Sequence, residues 1–186
     1  GVDEATAEAL FREIQDFASY AFNKAHAAAY AVVAYQTAYL KCRYPREYMA
    51  ALLSSVLGST GKVAEYMAEC RRLELAVLPP HVNYSGVGFT VDGNSLRFGL
   101  AAVKNLGRSV IVRMEQEREG GGRFTSFRDF CKRMTGKDMN RRAIESLIKC
   151  GALDGLGNNR REMLIGLEGV LAQLDGDRRR NIEGQM

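Results

Sequence analysis

A chain of 186 residues with 46% hydrophobic and 26% charged residues can bury a core in one domain or two small ones, and its composition is that of an ordinary globular protein. It holds no run of about eighteen apolar residues and no signal-peptide layout, so nothing points to a membrane or to secretion, and a cytoplasmic location is expected. The net charge of +4 is uneven: residues 1–96 hold 8 Lys+Arg and 10 Asp+Glu, residues 97–186 hold 18 and 12, giving −2 and +6. The second half therefore carries the basic surface, which charge alone would equally allow to be a solvated face.

Residues 3–17 place Leu10, Ile14 and Phe17 at helical spacing. An alanine-rich helix is predicted over 24–42, where six of the ten residues from 25 to 34 are alanine, a composition of high helix propensity and little bulk. Pro45 opens a third helix to about residue 57, stopped by Gly58, and a fourth is expected over 61–74. Strand-like runs at 87–91 and 95–98 flank Asp92-Gly93-Asn94, a strong hairpin signal. Helices follow at 107–118, 127–134, 140–149 and 159–174, with Gly120-Gly121-Gly122 as a break. The fold class expected is mainly α, with one small β element near 87–98.

Cys42, Cys70, Cys131 and Cys150 are widely spaced and unpaired, and His26 and His81 stand alone. No structural metal is expected, and the thiols read as reduced core or helix cysteines. Along the alanine-rich helix, Lys24, His26, Tyr30, Tyr35, Gln36, Lys41 and Arg43 supply cations, aromatic faces and hydrogen-bond groups, the parts that phosphate and base recognition uses. Packing into a core with polar groups outward is the ordinary alternative for such a helix.

Two glycine-containing turns stand between helical segments in the basic half. The first is Val103-Lys104-Asn105-Leu106-Gly107 before Arg108; the second covers 150–157, with Gly151, Gly155 and Gly157, before Arg160 and Arg161. A helix-hairpin-helix turn of this kind aims backbone N–H groups and a helix N-terminus at a phosphate, and glycine permits close approach. Lys104, Asn105, Gly107, Arg108, Lys149, Gly151, Gly157, Arg160 and Arg161 are the DNA-binding candidates. Each glycine cluster could instead be a C-cap between packed helices.

The ordered run FNKAHAAAYAVVAYQTAYLK, the LPPHVNYS landmark at 78–85, RFGLAAVKNLG at 97–107, FTSFRDFC at 124–131 and NRRAIESLIKCGALD at 140–154 together resemble the alpha-subunit family of bacterial DNA polymerase III, the C-family replicative polymerases. The resemblance covers nearly the whole chain. Two places depart from the family pattern: Ser19-Tyr20-Ala21-Phe22 stands for Gly-Tyr-Gly-Phe, and His81 stands for Asp. The first makes entry to the alanine-rich helix less tolerant of positive φ.

The resemblance implies that residues 1–96 are part of the fingers, that 97–175 form a tandem helix-hairpin-helix module binding double-stranded DNA, and that 176–186 form a mobile basic tail. It implies that Lys24 and His26 contact the triphosphate of an incoming dNTP and that Tyr30 packs against the nucleotide, though each has a plain structural alternative: a solvated lysine, a capping histidine, a core tyrosine. The family's two-metal nucleotidyl transfer uses palm aspartates and Mg2+; no such acidic constellation is read here, so the segment alone is expected to be inactive, with no cofactor of its own. Its partners would be DNA, the dNTP and the remaining domains of the same polymerase. Gln185-Met186 resembles the start of a clamp-binding peptide, so the truncated peptide is expected not to bind the sliding clamp. Two other readings stay open: a standalone helix-hairpin-helix DNA-binding or repair adaptor, and an enzyme using His26 or His81 as acid or base.

Overall fold

The computed structural model describes residues 1–21, 24–134, 136 and 139–183. The chain divides into two compact units, Gly1–Tyr44 and Pro45–Met186.

The first unit consists of α1, Glu4–Ala21, and α2, Lys24–Arg43. Asp3 caps α1, accepting the Thr6 N–H at 3.0 Å and the Thr6 hydroxyl at 2.7 Å; the hydroxyl bond is the larger cause holding its carboxyl below the usual range. The helix outruns the predicted end at residue 17. Leu10, Phe11, Ile14 and Phe17 form a stripe left open to solvent, with Phe17 75% exposed. No described residue of α2 is buried either, although it carries Tyr30, Val32, Val33, Tyr35, Tyr39 and Leu40.

The second unit begins at Pro45, whose fixed φ suits the first turn of α3, Pro45–Ser55. This helix packs against α4, Thr60–Arg72, and covers a three-stranded sheet of β1, Val77–Leu78, β2, Thr90–Asp92, and β3, Ser95–Arg97. The strand order is β1-β3-β2, with β3 parallel to β1 (Val77 opposite Leu96) and antiparallel to β2 (Val91 opposite Leu96). The predicted hairpin is present, its turn set by Gly93 at φ 59°, but its strands are shorter than expected. Arg46 donates to Gly93 O and Asn94 Oδ1 at 3.1 and 2.7 Å, fixing the turn to the start of α3. Met49, Leu53, Val63, Cys70, Phe89 and Leu96 form the core here.

Phe98 packs against this core and against a larger one centred on Leu100, Phe124, Phe130, Ile144 and Leu147. Between them Gly99 is obligatory in shape: a Cβ there would lie 2.5 Å from the carbonyl carbon of Gly88. The larger core is enclosed by a 3-10 turn, Leu100–Ala102, and by α5, Arg108–Gly121, α6, Phe127–Met134, α7, Arg141–Lys149, and α8, Arg160–Glu183.

Three boundaries differ from the sequence reading. Helix α5 continues through Gly120 and Gly121 because Arg133, from α6, donates to Glu117 O and to Gly122 O (3.0 Å), capping carbonyls that the glycines alone would leave open. Helix α8 does not stop at residue 174 but runs to Glu183: Leu167 and Leu174 are buried a heptad apart, and Asp177 lies 3.8 Å from Arg128. Residues 176–183, assigned to a basic tail, are therefore helical, while Gln185 and Met186 fall outside the described residues. Finally, the arm before the first glycine turn is a three-residue 3-10 turn rather than an α-helix. Phe98 N–H is bonded to Leu78 O and Leu100 N–H to Gly86 O, so the chain stays extended until Gly99.

All four cysteines are free: Cys70 and Cys131 are buried, Cys150 is half-buried and Cys42 is exposed on α2. Burial pushes the Cys131 thiol up to about 12, and burial is also the leading cause of the raised Cys70 and Cys150 values.

Candidate nucleic-acid interface

The first glycine turn holds Asn105 at φ 62°, the left-handed region that asparagine tolerates better than most side chains. Its Nδ2 donates to Ser146 Oγ at 3.1 Å, and Ser146 in turn donates to Arg142 O at 2.9 Å, which fastens the turn to α7. Gly107 is the N-cap of α5 and offers no side-chain acceptor. The leading N–H groups of this helix are thus left without side-chain capping, beside the exposed Arg108.

Lys104, Asn105, Ser146 and Lys149 line one cleft of about 640 Å3 over an apolar floor that includes Phe98 and Val103. Two cations separated by 45 positions in the chain are so brought to one opening. Lys149 has a loose exposed partner, Glu145 at 3.8 Å, a pair of little energetic consequence.

The second turn is organised differently. The Gly151 N–H donates to Ile148 O at 3.0 Å and the Ala152 N–H to Leu147 O at 2.9 Å; with Gly151 at φ 83° this is a Schellman C-cap. The Gly151 N–H is occupied within the protein, and the glycine instead makes room: a Cβ there would sit 2.2 Å from Nη2 of Arg160. Arg160 lies over it in a two-pronged bond to Asp154, Nε to Oδ1 at 2.8 Å and Nη2 to Oδ2 at 2.5 Å. That guanidinium bond is the leading cause of the lowered Asp154 carboxyl.

Asn159 caps α8, its Oδ1 accepting the Glu162 N–H at 2.9 Å while Glu162 reaches back to Asn159. A carboxylate therefore occupies the N-terminus that the sequence reading aimed at phosphate. Arg161 is exposed, and Gly157, at φ 98°, is also on the surface. Of the two turns, the first has the open helix end and only a loose, exposed ion pair at Lys149; the second has its principal cation paired in two hydrogen bonds.

The second turn hangs on the 81–85 segment, which the sequence reading used as a family landmark and, at His81, as a candidate acid or base. His81 Nδ1 accepts the Asn83 N–H at 3.0 Å, and Nε2 lies 3.1 Å from Asp154 O. With Nδ1 acting as acceptor, the proton is on Nε2, which donates to that carbonyl. Val82 N–H bonds to Ala152 O at 2.9 Å. The Asn83 amide exchanges two bonds with the Phe124 backbone, 2.9 and 2.8 Å, and Arg118 of α5 donates to Val82 O and Ser85 O. Tyr84, 47% exposed, has Arg123 4.9 Å and Arg97 5.4 Å from its ring centre. Alternation and helical spacing give no signal for such a hub; its density of Asn, Ser and His in a Pro-Pro turn is the available clue.

In the first unit, His26 and Tyr30 stand one helical turn apart, ring centres 4.4 Å from each other. Lys24 is two residues from His26, which at 3.6 residues per turn puts it on a different side of α2. Only His26 and Tyr30 of that trio are brought together. The sequence reading passed over the Asp-x-Asp triplet at Asp175-Gly176-Asp177; in the structure Asp177 faces Arg128. Among the described residues no three His, Cys, Asp or Glu gather as a metal-ligand group, and no helix is long and apolar enough to cross a membrane.

Residues 74–163, which span both turns, match the family model described as the helix-hairpin-helix motif. Across its length the chain is similar to proteins called DNA polymerase III subunit alpha. It is 48% identical over 184 residues to that of Thermus aquaticus, covering 99% of this chain and 15% of the relative. It is 45% identical over 185 residues to that of Deinococcus radiodurans, covering 100% and 14%. The match to that of Saccharopolyspora erythraea is 48% over 183 residues, covering 98% and 15%. The chain thus spans about one seventh of the length of the relatives it matches.

Proposed function

We propose that this chain, which belongs to the DNA polymerase III alpha-subunit family, contributes a sequence-indifferent grip on double-stranded DNA to template-directed synthesis, through the cleft and open helix end of its first glycine turn. The single observation that carries the reading is the convergence of Lys104, Asn105 and Lys149 on one cleft beside the uncapped start of α5. Two ammonium groups and a helix N-terminus suit a backbone phosphate, and none of them reads a base edge. Homology along the whole chain favours this over a standalone repair adaptor, and both ring nitrogens of His81 are engaged by backbone groups, which argues against its use as a free acid or base.

By the same reading, the first unit is the nucleotide-facing part of the fingers, with the His26–Tyr30 pair turned to the dNTP. Helix α2 is apolar or aromatic on several sides without a buried residue, the pattern of a helix enclosed by neighbours. The remaining domains of the polymerase are the natural cover. The Mg2+ that the parent chemistry requires does not fit the described side chains, since among the described residues Asp175 and Asp177 gather no third ligand and Asp177 is paired with Arg128; the metal-binding carboxylates would lie elsewhere in the polymerase.

Titrating the chain into a labelled random-sequence duplex at two salt concentrations tests the grip. Affinity that falls steeply with salt and is equal across unrelated duplexes is expected; absence of binding at low salt would overturn the proposal. The paired state of Arg160 gives a second expectation. Asp154→Asn should release the guanidinium, raise duplex affinity roughly threefold to tenfold at about 0.1 M salt and steepen the salt slope by about one. Its cost in stability should stay within about 1 kcal/mol because the pair is half exposed.

A further inference from the structure

We infer that neutral His81 is a positioning residue for the duplex grip, latching the 150–157 turn to the 81–85 hub, and that protonation of its ring opens the latch. The inference rests on the proposed DNA-binding role for its consequence, but the latch itself stands on the geometry alone. Both ring nitrogens are committed, one accepting from Asn83 N–H and one donating to Asp154 O. A proton added at Nδ1 would set donor against donor, so the charged ring cannot keep the Asn83 bond.

Every element around the ring bears on that charge. Arg97 comes from β3 and Arg123 from the segment after α5, both disfavouring it; Arg118 of α5 is bonded to the neighbouring carbonyls; Asp154, which favours it, has its carboxylate held by Arg160; Tyr84 lies 4.8 Å away, ring centre to ring centre. Burial is the largest cause of the lowered His81 value, the Asp154 carbonyl bond opposes it, and Arg97 adds to it. The latch also bounds the cleft: Pro80 and Cys150, both in its lining, directly precede His81 and Gly151.

The sign follows from a folded value below the unfolded one of about 6.5. The unfolded chain binds the proton first, so the stability contribution is complete above about pH 6.5 and is lost as pH falls toward the lowered folded value. The test compares the wild-type chain with His81→Asn, whose Oδ1 can accept the Asn83 N–H without titrating.

Between pH 7.5 and 5.5 the wild-type unfolding midpoint should drop by about 2–4 °C more than that of the variant. Protection of the Val82 amide against hydrogen exchange, corrected for intrinsic rate, should fall in the wild type alone. Duplex affinity should weaken at least about threefold in the wild type and not in the variant, the reverse of what added positive charge does for DNA binding. Parallel pH profiles for the two proteins would overturn the latch. If neither binds duplex at any pH, the proposed DNA role fails while the Val82 amide still decides the latch. Should His81→Asn not fold, the His81 ring titration in the wild type decides: a midpoint below about 6.5 supports the latch and one at or above it overturns it.

Discussion

Reversing charge at Lys104, Arg108 and Lys149 together is expected to weaken duplex binding at least about 100-fold at roughly 0.1 M salt and to flatten the salt slope by about three. The first two flank the uncapped start of α5, and the third lines the cleft together with Lys104. A phosphate held there displaces condensed counterions at each contact, so the loss should grow with every ammonium or guanidinium removed. All three residues are exposed, and the ion pair of Lys149 with Glu145 is long at 3.8 Å; each change should therefore alter stability by no more than about 0.5 kcal/mol. The charge-matched comparison is Arg12, Lys62 and Arg71, exposed residues on α1 and α4. Equal losses from the two triplets, measured by anisotropy across a salt series, would mean that DNA responds only to net charge and that the cleft is not where it binds.

This expectation separates what the residues announced from what only folding reveals. Cations beside glycine turns are visible in the chain order, and so Lys104, Arg108, Lys149 and Arg160 could all be named. Which of them is available depends on partners. Asp154 takes Arg160 and Glu162 closes the start of α8, whereas nothing comparable caps α5.

The elements followed the same division. Pro45 and the Asp92-Gly93 turn marked their structures because proline and glycine act locally. Strand β1 did not, since two residues pairing in parallel with Leu96 and Arg97 leave no alternation to detect. The extension of α5 depends on Arg133, twelve residues beyond its end, and that of α8 on Arg128 and the packed leucines. The spacing of Lys24, His26 and Tyr30 was legible all along, since a two-residue step crosses a helix whereas a four-residue step stays on one side.

Replacing Asn83 by alanine should cost about 3 kcal/mol and lower the unfolding midpoint by about 10 °C. The Asn83 side chain serves the Phe124 backbone as a neighbouring strand would, donating from Nδ2 to its carbonyl and accepting its N–H at Oδ1. Phe124 is 2% exposed, meets Phe130 edge-on at 5.1 Å, and has the Arg133 guanidinium 4.4 Å from its ring centre. Truncation would thus strand a donor and an acceptor beside a packed aromatic, each costing about 1–3 kcal/mol if water cannot reach it. The Asn83→Asp variant keeps an acceptor for the N–H but sets a carboxylate against the Phe124 carbonyl, so it should recover little. A loss below about 1 kcal/mol in urea melts of Asn83→Ala would show that water enters behind Phe124 and that the hub tolerates being opened. The larger loss would place the folding of the 81–85 segment upstream of the DNA grip: the same turn that receives Phe124 also receives Ala152 and Arg118, so loosening one attachment frees the others to move.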